Sequence, residues 1–321
     1  MAQTKTLLSK IGKISGLTIC IIIAVVLVFL IGLNIFKYPF YSDYFSSLTK
    51  EGVNPGLNEG LVPQGITFFD NKFVTAGYMT DNSSSRIYSV DYETKEIKFF
   101  PLTSDGEAFL GHTGGLQYSN GFLYIANEGN SLYKIPSALL NQESGTTIEI
   151  GKPFSVNSNT SFISGNDNFL YTGEFHKENE YECSNKIEYN GKTNYAIVEK
   201  YVAGDFSKPL AVYSIPAQIQ GFCIKDDGTI ILSSSWGLTS SKFFIYEPKD
   251  IIQTEQEYNG CELFFLDKPS RTITAPAMSE DLDIFVSKDG KEKVITMFES
   301  SSNKYFFGKL FFSNYIAGFD F

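Results

Sequence analysis

The chain has 321 residues, 43% of them hydrophobic, enough to bury a core in one large domain or two ordinary ones. Its formal charge is -10, and no Lys/Arg cluster with interleaved stacking aromatics occurs, which excludes the electrostatic footprint of a nucleic-acid binder. With 29 Phe, 19 Tyr and frequent Gly, Asn and Ser, the composition favours strands joined by tight turns and argues against disorder.

Residues 16–35 carry no charge and are mostly Ile, Val and Leu, long enough to cross a hydrocarbon core of roughly 30 Å as a helix. No small-x-small site follows, since the flank reads Asn34-Ile35-Phe36-Lys37-Tyr38, so an uncleaved anchor over residues 16–36 is expected rather than a cleaved signal peptide. Lys5, Lys10 and Lys13 precede the span, which places a cytoplasmic tail at 1–15 and everything after the anchor outside the cell membrane. Cys183, Cys223 and Cys261 then lie in the exported part, an odd number without metal-like spacing, and no disulfide framework is indicated. Residues 37–60 read as a short tether with two prolines, Pro39 and Pro55.

From residue 61 a unit repeats. Its clearest copy spans 218–236: an apolar strand, an Asp227-Gly228 hairpin turn, and a β-rich run. Earlier copies pair 63–68 with 72–78, 114–118 with 122–128, and 161–163 with 169–174; a later one pairs 278–282 with 294–299 around a turn at 288–290. Third strands are expected at 85–91, 131–135, 195–201, 242–246 and 314–320. Fourth strands are expected at 97–102, 147–150, 210–215 and 261–266. Four-stranded units at this spacing predict an all-β fold, a β-propeller of five blades with six as the alternative, behind one N-terminal transmembrane helix. The fifth copy lacks a fourth strand, so one is expected from residues before Gln64, within 41–48.

If each first strand is innermost, the loops entering first strands and leaving second strands share one face. Entering are Gln64, His112, Thr113, Ser161, Gln220, Ser279 and Glu280. Leaving are Tyr78, Glu128, Glu174, His176, Trp236 and Glu299. Both histidines and the single tryptophan fall there, which points to a binding site at the channel mouth. Several carboxylates around a narrow mouth repel unless a cation sits among them, so Glu128, Glu174, Glu280 and Glu299 are candidate ligands for a divalent ion such as calcium. Asn303 and Lys304, in the polar run 299–305, join the candidate ligand-binding set. His112 reads equally as a turn residue satisfying backbone groups, and His176, in the Lys/Glu-rich insertion 176–194, as a solvated one. No hydrolase elbow, zinc-protease helix or phosphate loop is present.

Taken together, Pro63-Gln64-Gly65-Ile66, Gly111-His112-Thr113-Gly114-Gly115, Gln220-Gly221, Ser233-Ser234-Ser235-Trp236-Gly237, Met278-Ser279-Glu280 and Phe298-Glu299-Ser300 resemble a family of exported, membrane-anchored bacterial β-propeller proteins of undefined activity. That resemblance implies the fold and an exported location and no reaction. The chain is similar, more loosely, to lactonase-like propellers, whose channel calcium implies Glu174, Glu280 and Glu299 as stand-ins for the ligands. The expected function is extracytoplasmic binding of a small molecule, glycan or peptide of the envelope or surroundings. The alternatives are a metal-dependent lactonase or esterase with His112 as base and Glu280 as a catalytic carboxylate, and a structural partner of another membrane protein.

Overall fold

A computed structural model of the protein describes residues 2–288, 290–305, 308 and 314–321, with side chains from residue 16 onward. Asp289, at the centre of one expected turn, lies outside the described residues. The chain divides into two units, residues 1–42 and 43–321. In the first, one helix runs Ala2–Phe40, with Pro39 in its last turn. Its stretch Gly16–Phe40 is long and apolar enough to cross a membrane, as an anchor or a signal sequence does.

The second unit is a five-bladed β-propeller. Its first blade runs outward from Leu61–Phe69 through Lys72–Met79 and Arg86–Asp91 to Ile97–Ser104. The second begins with Gly115–Ser119, the third with Phe162–Gly165, the fourth with Ile219–Ile224 and the fifth with Ser279–Val286. In the first three blades the inner strand turns into the second through a hairpin of two or three residues. At the first two of these, Asp70, Asn71, Asn120 and Gly121 all have positive φ, as the favoured two-residue hairpin turns require. Apolar side chains alternate along these strands and meet those of the neighbouring blade. Val74, Ile87 and Phe100 pack with Leu116, Leu123 and Ile125, and Tyr171 and Val198 pack with Phe222, Ile230 and Leu232.

The ring is closed by Leu48–Val53, which pairs antiparallel with Tyr315–Phe319 as the outermost strand of the fifth blade. The window 41–48, where that strand was expected, is largely occupied by the helix Ser42–Ser47. Its Tyr44 is fully buried, with rings of Phe298 and Phe319 within 5.8 Å and 5.3 Å, so helical geometry here buries a large aromatic that a strand would have aimed elsewhere.

Two of the expected fourth strands belong to the preceding blade. Ile148–Glu149 pairs parallel with the outer strand of the first blade, and the fourth strand of the second blade is the two-residue Phe154–Ser155. Likewise Cys261–Leu266 pairs parallel with Ala211–Ile215 of the third blade, with Ile251–Tyr258 beyond it, and Arg271–Ala275 completes the fourth blade. The cause is the same in both cases. The segment after a third strand crosses first to the neighbour's open edge, where Ile148 and Ile150 join Phe100 and Leu102, and where Leu263 and Phe265 join Val212 and Ile197.

With only five blades the innermost strands crowd one another. A Cβ built on Gly115 would stand 2.5 Å from the backbone nitrogen of Ile163, and one on Gly221 would stand 2.8 Å from that of Leu282. Glycine is needed where the backbones come this close.

Candidate ligand pocket at the channel end

Where the inner strands enter, a cavity of about 680 Å³ opens, and it is lined by residues from all five blades. Its floor is made by irregularities in the strands. The pairing of first and second strands slips between Pro63 and Gly65, between Ile219 and Gly221, and between Ser279 and Leu282. The skipped residues are Gln64, Gln220, and Glu280 with Asp281. A β-bulge re-aims the side chain it carries. In three blades the re-aimed side chain, Gln64, Gln220 or Glu280, lines the cavity. The backbone just before the inner strands of the second, fourth and fifth blades is strained as well: Thr113, Gln218 and Met278 all have φ between 53° and 65°, a region that non-glycine residues avoid.

Below the floor, carboxylates from the fifth inner strand stitch the ring together. Asp281 Oδ2 accepts the backbone N–H groups of Ile66 (3.1 Å) and Leu116 (2.9 Å), one from each of the first two blades. Asp283 Oδ2 accepts the Thr67 hydroxyl (2.7 Å) and the Phe68 amide (3.0 Å). Burial nevertheless raises both acids: Asp281 stands well above the usual range, with Asp283 pushed up to about 7. Glu280 differs from both. It is 3% exposed, and among the described residues its carboxyl has no hydrogen-bond partner. Burial first, then the neighbouring Glu299 and Asp281, raise it well above the ordinary carboxylate range.

One wall is polar. Glu299 Oε1 accepts hydrogen bonds from Tyr78 (3.0 Å) and Tyr305 (2.9 Å), and Lys304 Nζ donates to the Tyr78 hydroxyl (2.5 Å). Burial, followed by the Glu299 charge, raises both phenols. Beside Tyr78, whose ring lies 4.9 Å from that of His112, the imidazole Nδ1 meets Glu128 Oε1 at 3.0 Å, and both partners face solvent. The opposite wall is aromatic. Phe175 stacks on Trp236 with centroids 5.8 Å apart, and Tyr181 meets Trp236 edge-on at 5.9 Å.

Of the residues singled out from sequence, Gln64, His112, Glu128, Ser161, Gln220, Trp236, Glu280, Glu299, Lys304 and Tyr78 line the cavity. Glu174, His176, Asn303, Thr113 and Ser279 do not. Glu174 is buried, its carboxylate taken by the Asn185 amide (2.5 Å) and the backbone of Ile197 (3.1 Å), and burial lifts it to about 7. His176 is 7% exposed rather than solvated; its Nδ1 accepts the Cys183 amide at 3.1 Å and its ring stacks on Tyr195. Asn303 donates to the Leu57 carbonyl at 2.9 Å and fixes a loop. Among the described residues no group of three or more His, Cys, Asp or Glu side chains is arranged to hold a metal ion. Trp236 was legible in the sequence, whereas its wall partners Phe175 and Tyr181 were not. Side chains of an extended segment alternate, so burying Glu174 and His176 turns Phe175 to the cavity.

Antiparallel blades repeated around a closed ring, with the first strand completing the last blade, define the class of this protein as a β-propeller. No protein-family model matches the sequence, and no curated protein does. Solved structures similar to it include Myxococcus xanthus glutaminyl cyclase, 8% identical, covering 85% of this chain and 92% of that one with a TM-score of 0.44. The PQQ-bound aldose sugar dehydrogenase of Streptomyces coelicolor is 12% identical over 78% of each chain, with a TM-score of 0.43. The WD40 β-propeller domain of Doa1 is 12% identical over 85% of this chain and 97% of that one, at 0.38. At these identities and scores the similarity says nothing about activity.

Proposed function

We propose that this protein is a membrane-anchored, extracytoplasmic propeller that binds a small ligand in the cavity at its channel end. The observation that carries the reading is the coincidence of three bulges in three different blades, each aiming a polar side chain, Gln64, Gln220 or Glu280, into one cavity. A ring built for stability alone has no use for strained backbone and an unpartnered buried carboxyl at a single level. The apolar helix supports the anchor, and the Lys-rich N-terminus supports its orientation. The hydrolase alternative has no specific support, because Glu174 is turned away and Glu128 and Glu299 already have partners within the protein.

Trp236 is the chain's single tryptophan and lines the cavity, so its emission reports occupancy directly. The test is to titrate the full chain, in detergent, with saccharides, short peptides, and small amines and alcohols while following that emission. A saturable change that weakens in Gln220→Ala supports the reading. A flat response to every class contradicts it.

A further inference from the structure

The class of ligand follows from the contrast between the cavity's charges and its aromatic wall. Five lining side chains are glutamates, Glu128, Glu180, Glu182, Glu280 and Glu299, against one lysine. Four of the five have a partner within the protein: His112 for Glu128, Lys177 for Glu180, the Asn179 amide for Glu182, and two tyrosines for Glu299. The lysine, Lys304, already donates to Tyr78. Glu280 alone, 97% buried by its 3% exposure, is left without a partner among the described residues, and it is carried into the cavity by a bulge. A carboxyl desolvated in this way is costly to keep ionised unless a cation comes to it.

The facing wall suits the same visitor. Aromatic faces attract cations through their quadrupoles, and Trp236 already holds one of the chain's own, the Lys177 ammonium 5.3 Å from its ring centroid. Phe175 and Tyr181 extend that wall as an apolar surface.

We propose that the pocket takes an organic cation, an amine carried on a flat apolar body, with its charge at Glu280 and its body against Phe175, Tyr181 and Trp236. The inference rests on the pocket being a ligand site, and it names the ligand's chemistry. An anionic ligand would meet a lining of five glutamates against one lysine. A neutral one, even as a hydrogen-bond donor, would leave the charge of an ionised Glu280 unbalanced.

The test compares benzylamine, benzyl alcohol and benzoate, three probes of one shape and different charge, by Trp236 emission of the full chain in detergent at about pH 8. Benzylamine is expected to bind at least about ten-fold more tightly than the other two, and Glu280→Gln is expected to bring it within about two-fold of benzyl alcohol. The comparison of probes on the unaltered chain needs no variant and stands even if Glu280→Gln does not fold. Equal or tighter binding of benzyl alcohol or benzoate overturns the cation assignment and leaves the ligand pocket standing, as does binding confined to saccharides. Silence toward every probe, including the broader panel, overturns both.

Discussion

The two ends of a blade obey different rules. At the channel, inner strands are held by short-range backbone fit: glycines where chains touch, bulges at three matching positions, and Asp281 and Asp283 bonding to amides of the first blade and, through Asp281, the second. At the rim, edges are filled by whichever segment reaches them, so Ile148–Glu149 and Cys261–Leu266 leave their own blades to extend a neighbour. The contrast teaches that tolerance is graded outward. Substitutions near the channel are expected to act on the whole ring, and those at the rim on one edge.

The largest expected effect is a paired glycine test. Gly115→Val puts a branched side chain into the Ile163 backbone and is expected to lose about 3 kcal/mol or more, if it folds at all. Gly260→Val, in the rim turn between Ile251–Tyr258 and Cys261–Leu266 at φ 73° with open space around it, meets only the left-handed backbone penalty of about 1–2 kcal/mol. Denaturant unfolding of the two variants checks this, and equal losses would erase the inner–outer gradient.

Next comes pH. Asp283 titrates at about 7 when folded against 3.8 when free, and Glu174 at about 7 against 4.5. The native state therefore binds these protons more tightly, so their stabilisation is complete below the free values and is lost as pH rises through about 7. Melting temperature is expected to fall between pH 5 and 7, with a shallower slope in Asp283→Asn. A slope unchanged by that substitution would remove Asp283 from the account.

Smaller still is relief of backbone strain. Gln218→Gly is expected to gain up to about 1 kcal/mol, since glycine accepts φ 65° freely and the unfolded chain returns only part of that gain. At the rim, Glu255→Lys on the exposed outer strand Ile251–Tyr258 is expected to change stability by less than about 0.5 kcal/mol.

The same gradient explains what was legible in the sequence. The first three strands of each blade were readable because alternation and Asn-Gly or Asp-Gly turns are local signals. Outer strands were readable only in part: those at 97–102 and 210–215 form where expected, but a two-residue strand such as Phe154–Ser155 has no period, and the choice between neighbouring edges is a long-range one. Most floor and polar-wall residues, from Gln64 to Glu299, were visible as recurring positions. Phe175 was hidden by its two polar neighbours, since nothing in Glu174-Phe175-His176 tells which side of the segment faces the cavity.

The central claim is that Glu280 sits at the channel end for a ligand and not for the fold. The stability of Glu280→Gln against the unaltered chain, by denaturant unfolding at about pH 8, tests it most directly. A gain on the order of 1 kcal/mol is expected, because a buried, unpartnered carboxyl is replaced by a neutral group of the same shape. A loss of similar size would show that Glu280 holds the ring together, contradicting the claim.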